Sequence, residues 1–154
     1  MRPALVSSVV LAGLALFAGA ASSAPVQSCK PTPEDAFGPF GRVTPPLRAK
    51  IGTGHVLTGV VVSAIDCKPI RGARVEFWQA NKQGRYTRAT SGSVRTNSQG
   101  RFRFEGPYPP SYEGRPGHIH IRVVAKFHEL LLTRYEPHGA RRGAVRIVLV
   151  PEQL

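Results

Sequence analysis

Short apolar runs separated by turn-forming residues are the feature that most limits what this chain can fold into. Six such runs follow residue 55, and each is bounded by clusters of Gly, Pro, Asn, Asp or Ser, which favour turns. No segment between them has the periodicity of an amphipathic helix. The six candidate strands cover residues 56–63, 74–79, 101–105, 118–125, 129–135 and 145–150.

Composition supports an all-β fold. Gly 16 and Pro 14 among 154 residues make long helices improbable, while 42% hydrophobic residues suffice for a core. Prolines recur through residues 21–55, and because proline has no backbone N–H, this segment lacks hydrogen-bond donors that a central strand needs. We therefore predict an antiparallel β-sandwich with few or no helices, made of a Pro-rich extended N-terminal arm (residues 21–55) and a β-sandwich core (residues 56–154).

The first twenty residues have the composition of an export signal. Arg2 gives a positive start, residues 9–17 form a short apolar stretch, and residues 18–20 are small, as cleavage sites require. The apolar stretch is too short to span a bilayer. We predict a signal peptide over residues 1–20, with cleavage as late as residue 24, and a periplasmic or secreted protein without a membrane anchor after its removal.

Two cysteines, Cys29 and Cys67, follow the predicted signal. In an oxidising compartment a disulfide between them is the default expectation, and two separate buried thiols are the alternative. A bridge that closes a loop of this size would stabilise the fold by about 4 kcal/mol on the chain-entropy estimate.

The chain is strongly basic, with a formal net charge of +12. Such an excess raises the local concentration of anions and suits anionic polymers or acidic small substrates. The basic residues are scattered, however, and no run is longer than Arg141-Arg142. This distribution favours a generally basic surface over a nucleic-acid interface, and no nucleic-acid partner is expected.

The pair His118 and His120 is the clearest sign of chemistry. Alternate side chains of a strand point to the same side, so the two imidazoles share one face and can hold one metal ion, although such pairs also occur on plain exposed strands. Tyr86 and Tyr112, in loops that border the strands, are candidate further ligands. Two imidazoles and two phenolates suit a hard trivalent ion, and ferric iron, Fe(3+), is the natural occupant.

Several sequence elements, taken in order, resemble the intradiol ring-cleavage dioxygenases, most of all their protocatechuate 3,4-dioxygenase branch. The similarity runs from about Cys29 to Tyr135. The combination of Trp-Gln-Ala-Asn, Gly-x-Tyr and Arg-Pro-x-His-x-His is highly specific. These elements are Leu57-Thr58-Gly59, Pro69-Ile70-Arg71-Gly72-Ala73, Trp78-Gln79-Ala80-Asn81, Gly84-Arg85-Tyr86, Gly100-Arg101-Phe102 and Tyr112-Glu113-Gly114-Arg115-Pro116-Gly117-His118-Ile119-His120.

The resemblance implies a non-haem Fe(III) site in a β-sandwich. The family's first tyrosine ligand falls on Tyr86, and its two histidine ligands fall on His118 and His120. The second tyrosine ligand falls on Tyr112, which keeps the Tyr-x-Gly-Arg spacing of compact members. Tyr108, in a Gly-Pro-Tyr-Pro context, is the alternative ligand and otherwise a residue of the substrate rim.

The resemblance also implies the reaction. Arg115 matches the family's active-site arginine, whose cation would stabilise negative charge on the substrate, and the Tyr112 phenolate would accept a proton. A catechol ring would be opened by O2 between its two hydroxylated carbons to give a cis,cis-muconate, with iron as Lewis acid and template. The implied partners are a small aromatic diol and O2, and assembly into a homo-oligomer is left open.

One residue departs from the family pattern. After Thr133 the family usually has Gln, whereas this chain has Arg134. An added cation near the pocket would favour an anionic ring substituent such as carboxylate, so Arg134 is a candidate substrate contact and a protocatechuate-like substrate is predicted. Altered chemistry is the other interpretation.

A function of a different class is a non-catalytic β-sandwich binding module of the prealbumin-like or carboxypeptidase-regulatory-like kind. The segment from Gly59 to Phe102 also resembles those modules. They do not require the four ligands, so the enzyme is the favoured hypothesis. The remaining histidines, His55, His128 and His138, are predicted to be surface or structural residues, and Trp78 is predicted to lie in the core.

Overall fold

The computed structural model of the chain describes residues 29–35 and 44–153, so the predicted signal peptide lies outside the described residues. Two sheets make up the fold: one has three strands in the order β4-β1-β7, and the other has four in the order β3-β2-β5-β6. The strands are β1 His55–Ser63, β2 Arg74–Gln79, β3 Ser91–Arg95, β4 Arg101–Gly106, β5 Ile119–Val124, β6 Leu131–Tyr135 and β7 Arg142–Leu149.

The predicted all-β sandwich is confirmed, with two differences in detail. First, β1 and β7 pair in parallel, whereas every other pair of neighbouring strands is antiparallel. Second, β3 and the 3₁₀ helix Arg88–Thr90 before it were not predicted. No helix in the described part of the chain is long and apolar enough to cross a membrane.

Backbone packing accounts for the unpredicted strand β3. Its sequence is Ser-Gly-Ser-Val-Arg, without the apolar alternation of a typical strand. A side chain at Gly92 would collide with the carbonyl of Arg48, and the Arg48 amide donates to the Ser93 carbonyl at 2.8 Å. The N-terminal arm therefore buries this strand through close backbone contact, which small residues permit.

Alternate residues of both sheets fill the core between them. Phe77 of β2 stacks on Phe104 of β4 with ring centroids 4.2 Å apart. Residues at the intervening positions of the four-stranded sheet point to its outer face. There Trp78, His120 and Arg134 lie in register across β2, β5 and β6. The outer face of this sheet, rather than the space between the sheets, therefore presents the chemically reactive side chains.

The described residues 29–35 of the arm bridge the two sheets. A disulfide joins Cys29 to Cys67, as predicted. Thr32 exchanges two hydrogen bonds with Val148 of β7: its amide donates at 3.1 Å and its hydroxyl accepts at 2.8 Å. The amide of Asp35 donates to the carbonyl of Leu132 in β6 at 2.9 Å. The arm thus connects one edge strand of each sheet.

Candidate metal centre

His118 and His120 stand at the start of β5 and share its outer face. Their Nε2 atoms are 3.1 Å apart. His118 is buried, and its Nδ1–H donates to the carbonyl of Pro116 at 2.8 Å. This hydrogen bond fixes the tautomer and leaves the Nε2 lone pair directed at His120.

A tight turn positions Tyr86 beside the two histidines. The side-chain carbonyl of Asn81 accepts hydrogen bonds from the amides of Gln83 and Arg85, both at 2.9 Å. Gly84 has a φ of +69° and lies beside Tyr112. A Cβ added at Gly84 would lie 3.4 Å from the Cβ of Tyr112. A residue with a side chain would be strained there by the left-handed backbone conformation, although its Cβ would only reach ordinary van der Waals contact with Tyr112.

A second tight turn delivers Tyr112. The backbones of Tyr112 and Arg115 exchange hydrogen bonds of 3.2 and 2.9 Å. The two residues between them, Glu113 and Gly114, have φ values of 50° and 73°, as in a type I′ turn. This turn sets Tyr112 and Arg115 side by side above the sheet.

A hydrogen bond from the sheet and close backbone packing fix the loop that carries Tyr112. Gln79, buried at the end of β2, donates to the carbonyl of Pro107 at 2.8 Å. Any side chain at Gly117 would collide with the carbonyl of Pro109, so the backbone of this loop folds directly onto the residue before His118. The sequence motif contained Gln79, but nothing in the pattern indicated that its role is to position this loop.

Two phenol oxygens and two imidazole nitrogens converge at this point. The Tyr86 hydroxyl lies 2.5 Å from that of Tyr112, 3.1 Å from His120 Nε2 and 3.3 Å from His118 Nε2. Donor atoms that each bind one ion at about 2.1 Å and at right angles are about 3 Å apart. Among the described residues, no three His, Cys, Asp or Glu side chains lie close enough together to hold one metal ion. A metal centre at this point therefore depends on the tyrosines.

Burial sets the protonation of these donors. Desolvation, followed by the nearby charge of His118, lowers the pKa of His120 to about 4, so its imidazole is neutral at pH 7. Desolvation and then the hydrogen bond with Tyr112 raise the pKa of Tyr86, so its phenol holds a proton until a cation displaces it.

The donor set fits a trivalent metal ion. The Nε2 atoms of His118 and His120 face each other at 3.1 Å, a separation at which one cation could contact both nitrogens. Phenolate oxygens are hard ligands, and a highly charged cation offsets the cost of ionising them. The four residues predicted as ligands are therefore brought together in a way that suits Fe(III).

Arg115 and Arg134 border this cluster. Arg115 is exposed, and its positive charge opposes the desolvation that raises the pKa of Tyr86 and adds to the desolvation that lowers the pKa of His120. Arg134 lies directly across from His120 in the β5–β6 register. Both guanidinium groups therefore stand at the rim where a ligand would enter.

Tyr108 makes its contacts outside the four-donor cluster. Its hydroxyl accepts a hydrogen bond from the Gly139 amide at 2.7 Å, and its ring lies edge-on to His55. Of the two candidates for the second tyrosine, the cluster contains Tyr112. His55 is buried and donates from Nδ1 to the Ala140 carbonyl at 2.8 Å, so it is structural.

The turn that holds Tyr86 occurs twice in the chain. Asn81-Lys-Gln-Gly-Arg-Tyr86 and Asn97-Ser-Gln-Gly-Arg-Phe102 have the same pattern. Each Asn side chain accepts hydrogen bonds from the amides two and four residues later, at 2.9 Å. The first copy ends in a tyrosine of the cluster and the second in the core residue Phe102. This repeat was not predicted from the sequence, although both copies share the recognisable pattern Asn-x-x-Gly-Arg-aromatic.

The chain is similar to known dioxygenases. A family model described as Dioxygenase matches residues 41–141. The protocatechuate 3,4-dioxygenase beta chain of Burkholderia cepacia is 31% identical over 97 residues, which cover 50% of this chain and 41% of that protein. The 6-chlorohydroxyquinol 1,2-dioxygenase of Cupriavidus pinatubonensis is 30% identical over 108 residues, 53% of this chain and 38% of that protein.

A solved structure shares most of the fold. The dioxygenase domain of a dioxygenase carbohydrate-binding protein fusion from Streptomyces sp. SirexAA-E superposes with a TM-score of 0.70 at 26% identity, covering 80% of this chain and 100% of that one. By contrast, the match to each of the two curated relatives spans less than half of the relative's length.

Proposed function

The chain belongs to the intradiol dioxygenase family, and on that premise we propose that it is an Fe(III)-dependent enzyme that opens the ring of a catechol with O2. The observation that carries this proposal is the convergence of Tyr86, Tyr112, His118 and His120, whose donor atoms lie 2.5 to 3.3 Å from the Tyr86 hydroxyl or from each other. A non-catalytic β-sandwich binding module would have no need of four such donors, and we do not retain it.

These four residues would hold the metal. Bound there, ferric iron would supply a Lewis acid and a template for the two oxygens of the catechol. His118 presents a fixed lone pair because Pro116 holds its other nitrogen, and His120 stays neutral because burial lowers its pKa. Tyr86 would remain in place on the turn that the Asn81 side chain holds.

Tyr112 and Arg115 would serve the reacting substrate. The Tyr112 oxygen, as a phenolate, is a base within reach of a catechol hydroxyl at the cluster and would accept its proton. Arg115 would stabilise the negative charge that develops as the ring is opened, and its electrostatic effect on Tyr86 and His120 supports that reach. Both atoms of O2 would end in the cis,cis-muconate product.

The substrate class and the cellular location follow from features outside the cluster. A protocatechuate-like ring is proposed as the substrate because Arg134 stands beside His120, and the similarity to a protocatechuate 3,4-dioxygenase beta chain agrees with it. Export to the periplasm or beyond is proposed from the signal-like sequence, and the Cys29–Cys67 disulfide supports an oxidising compartment.

Oxygen uptake by the iron-loaded protein tests the proposal. With catechol, protocatechuate or hydroxyquinol, we expect one O2 consumed for each muconate formed, and both oxygen atoms of labelled ¹⁸O2 in the product. His118→Gln should abolish uptake, whereas His138→Gln, an exposed histidine outside the cluster, should not. Failure of the wild-type protein to cleave any of the three rings would contradict the proposal.

A further inference from the structure

Arg134 is placed to meet the ring substituent of a bound substrate. It sits on the edge strand β6, directly opposite His120, and its side chain shares the outer face of the sheet with that histidine. Its side chain is 47% exposed. Because His120 belongs to the cluster, a ring held there would extend past the Arg134 guanidinium.

Two carboxylates hold the inner side of that guanidinium. The Nε of Arg134 lies 3.1 Å from Asp35 Oδ2 and 3.3 Å from Glu136 Oε1. Within residues 29–35 and 44–153, no hydrogen-bond partner is found for its two terminal Nη groups. The terminal groups can therefore bind a carboxylate in the bidentate manner that guanidinium favours.

Asp35 and Glu136 reach Arg134 by different routes. Glu136 follows it by two residues in the chain, so that pair is local. Asp35 comes from the arm, where its amide donates to the Leu132 carbonyl at 2.9 Å, and the arm is anchored by the Cys29–Cys67 disulfide. The arm thus brings one additional negative charge to the rim of the cluster.

The two carboxylates change how strongly Arg134 would attract an anionic substrate. A lone arginine would attract anionic rings strongly, but two carboxylates at its Nε offset its charge. The same carboxylates leave the Nη groups able to donate hydrogen bonds, which a carboxylate or a neutral hydroxyl can accept.

We propose that Asp35 is a specificity-determining residue, whose carboxylate offsets the charge of Arg134 so that the pocket takes neutral catechols as well as carboxylated ones. This inference rests on the proposed function, and it deepens that function by assigning the substrate class. Asp35 would act on the substrate only through its effect on the charge of Arg134. It is therefore a positioning residue rather than a catalytic one.

The test compares protocatechuate with catechol. Asp35→Asn keeps the shape of the side chain and an oxygen acceptor, and Glu136 still holds Arg134, so the main change is the loss of one negative charge. We expect the ratio of kcat/KM for protocatechuate over catechol to rise about fivefold, the effect of one unit charge about 8 Å away at an effective dielectric constant of about 40. The change should appear in KM for protocatechuate, with kcat nearly constant.

Two variants serve as controls. Glu34→Gln removes the same charge from the neighbouring position of the arm, where Glu34 is exposed and makes no ion pair with Arg134, and it should leave the ratio unchanged. Arg134→Gln, the family's residue, should lower the ratio. Because both substrates are measured on one preparation, partial unfolding cancels from the ratio.

Equilibrium binding gives a second measurement. Affinity for 4-hydroxybenzoate relative to phenol, determined by calorimetry, should rise in Asp35→Asn by a similar factor. A ratio that falls, or that changes no more than in Glu34→Gln, would overturn the inference alone. If the wild-type protein cleaves neither ring, the proposed function fails and the inference fails with it.

Discussion

The hydroxyl oxygens of Tyr86 and Tyr112 lie 2.5 Å apart, although the residues are separated by 26 positions in the sequence and belong to two different turns. One of the two hydroxyls therefore donates a hydrogen bond to the other in the metal-free protein. If a trivalent cation is bound here as proposed, both hydroxyl protons would be released and both oxygens would become anionic ligands. Because the two oxygens already lie side by side, binding would need little rearrangement of the two turns.

Removal of either phenol oxygen should weaken iron binding. In Tyr86→Phe and Tyr112→Phe we expect loss of most of the visible absorption that tyrosinate gives with Fe(III), and at least a tenfold lower iron affinity. Tyr108→Phe is the matched control, because Tyr108 bonds to Gly139 outside the cluster and should keep both. Visible spectra and iron analysis of the refolded proteins measure this. Retained colour in both Tyr86→Phe and Tyr112→Phe would exclude the four-ligand site.

Asn81 should matter to the site far more than its counterpart Asn97. Each side chain holds a turn of the same form, so Asn81→Ala and Asn97→Ala should each destabilise the fold by about 1–2 kcal/mol. Asn81→Ala alone should also lower iron affinity, because its turn positions Tyr86. Urea denaturation combined with iron titration separates the two effects. Equal iron affinities in the two variants would refute a positioning role for the first turn.

The stability of the metal-free protein should fall as the pH drops from about 6.5 to about 4. Burial lowers the pKa of His120 to about 4 and also lowers that of His55, so the unfolded chain binds more protons than the folded one in this interval. His120 should contribute a loss of up to about 2 kcal/mol, allowing for its partial exposure to solvent. Denaturation at a series of pH values measures it. His120→Gln should remove the part due to His120 and leave the parts due to His55 and to Glu105, whose pKa the hydrogen bond from Arg103 lowers; an unchanged slope would contradict the assignment.

Glu76 should be among the most costly charged residues to remove. Its side chain is 2% exposed and pairs with both Arg74 and Arg122 on the outer face beside Trp78. Glu76→Ala would leave two cations facing each other in a largely desolvated setting, so we expect a loss of about 3–5 kcal/mol. Glu105→Ala is the control, since Glu105 also pairs with two cations, but these cations, Lys50 and Arg103, are 59% and 56% exposed, so its effect should be much smaller. Comparable losses in the two variants, measured by denaturation, would show that burial is not the cause.

The disulfide should stabilise the fold by about 4 kcal/mol, because it closes a loop with a sequence separation of 38. Comparison of the wild-type protein with the Cys29→Ser/Cys67→Ser variant in guanidinium measures this difference. Addition of reductant should lower the wild-type midpoint to that of the variant and leave the variant unchanged. A variant as stable as the wild type would mean that the hydrogen bonds of Thr32 and Asp35 hold the arm without the bridge.

Much of the fold and the site could be predicted because it is encoded locally. Strands such as β2 carry apolar runs that end at turn residues, and the His118–His120 spacing places both side chains on one face in any strand. The disulfide followed from there being only two cysteines.

The missed features depend on contacts between distant segments. β3 was not predicted because its strand character comes from backbone pairing with β2 and close packing against the backbone of Arg48, rather than from a pattern in its own side chains. The parallel pairing of β7 with β1 could not be predicted, since a period of two does not specify a neighbour. The approach of Asp35 to Arg134 likewise depends on where the arm runs over the sheets.

The position of β7 beside β1 also bears on how the protein is made. β1 lies between β4 and β7 in its sheet, and β7 is the last of the seven strands to leave the ribosome. All four side chains of the cluster emerge before that strand does. The four-stranded sheet and the cluster on its outer face can therefore form before β7 completes the opposite sheet, so closure of the sandwich is the last step available to the nascent chain.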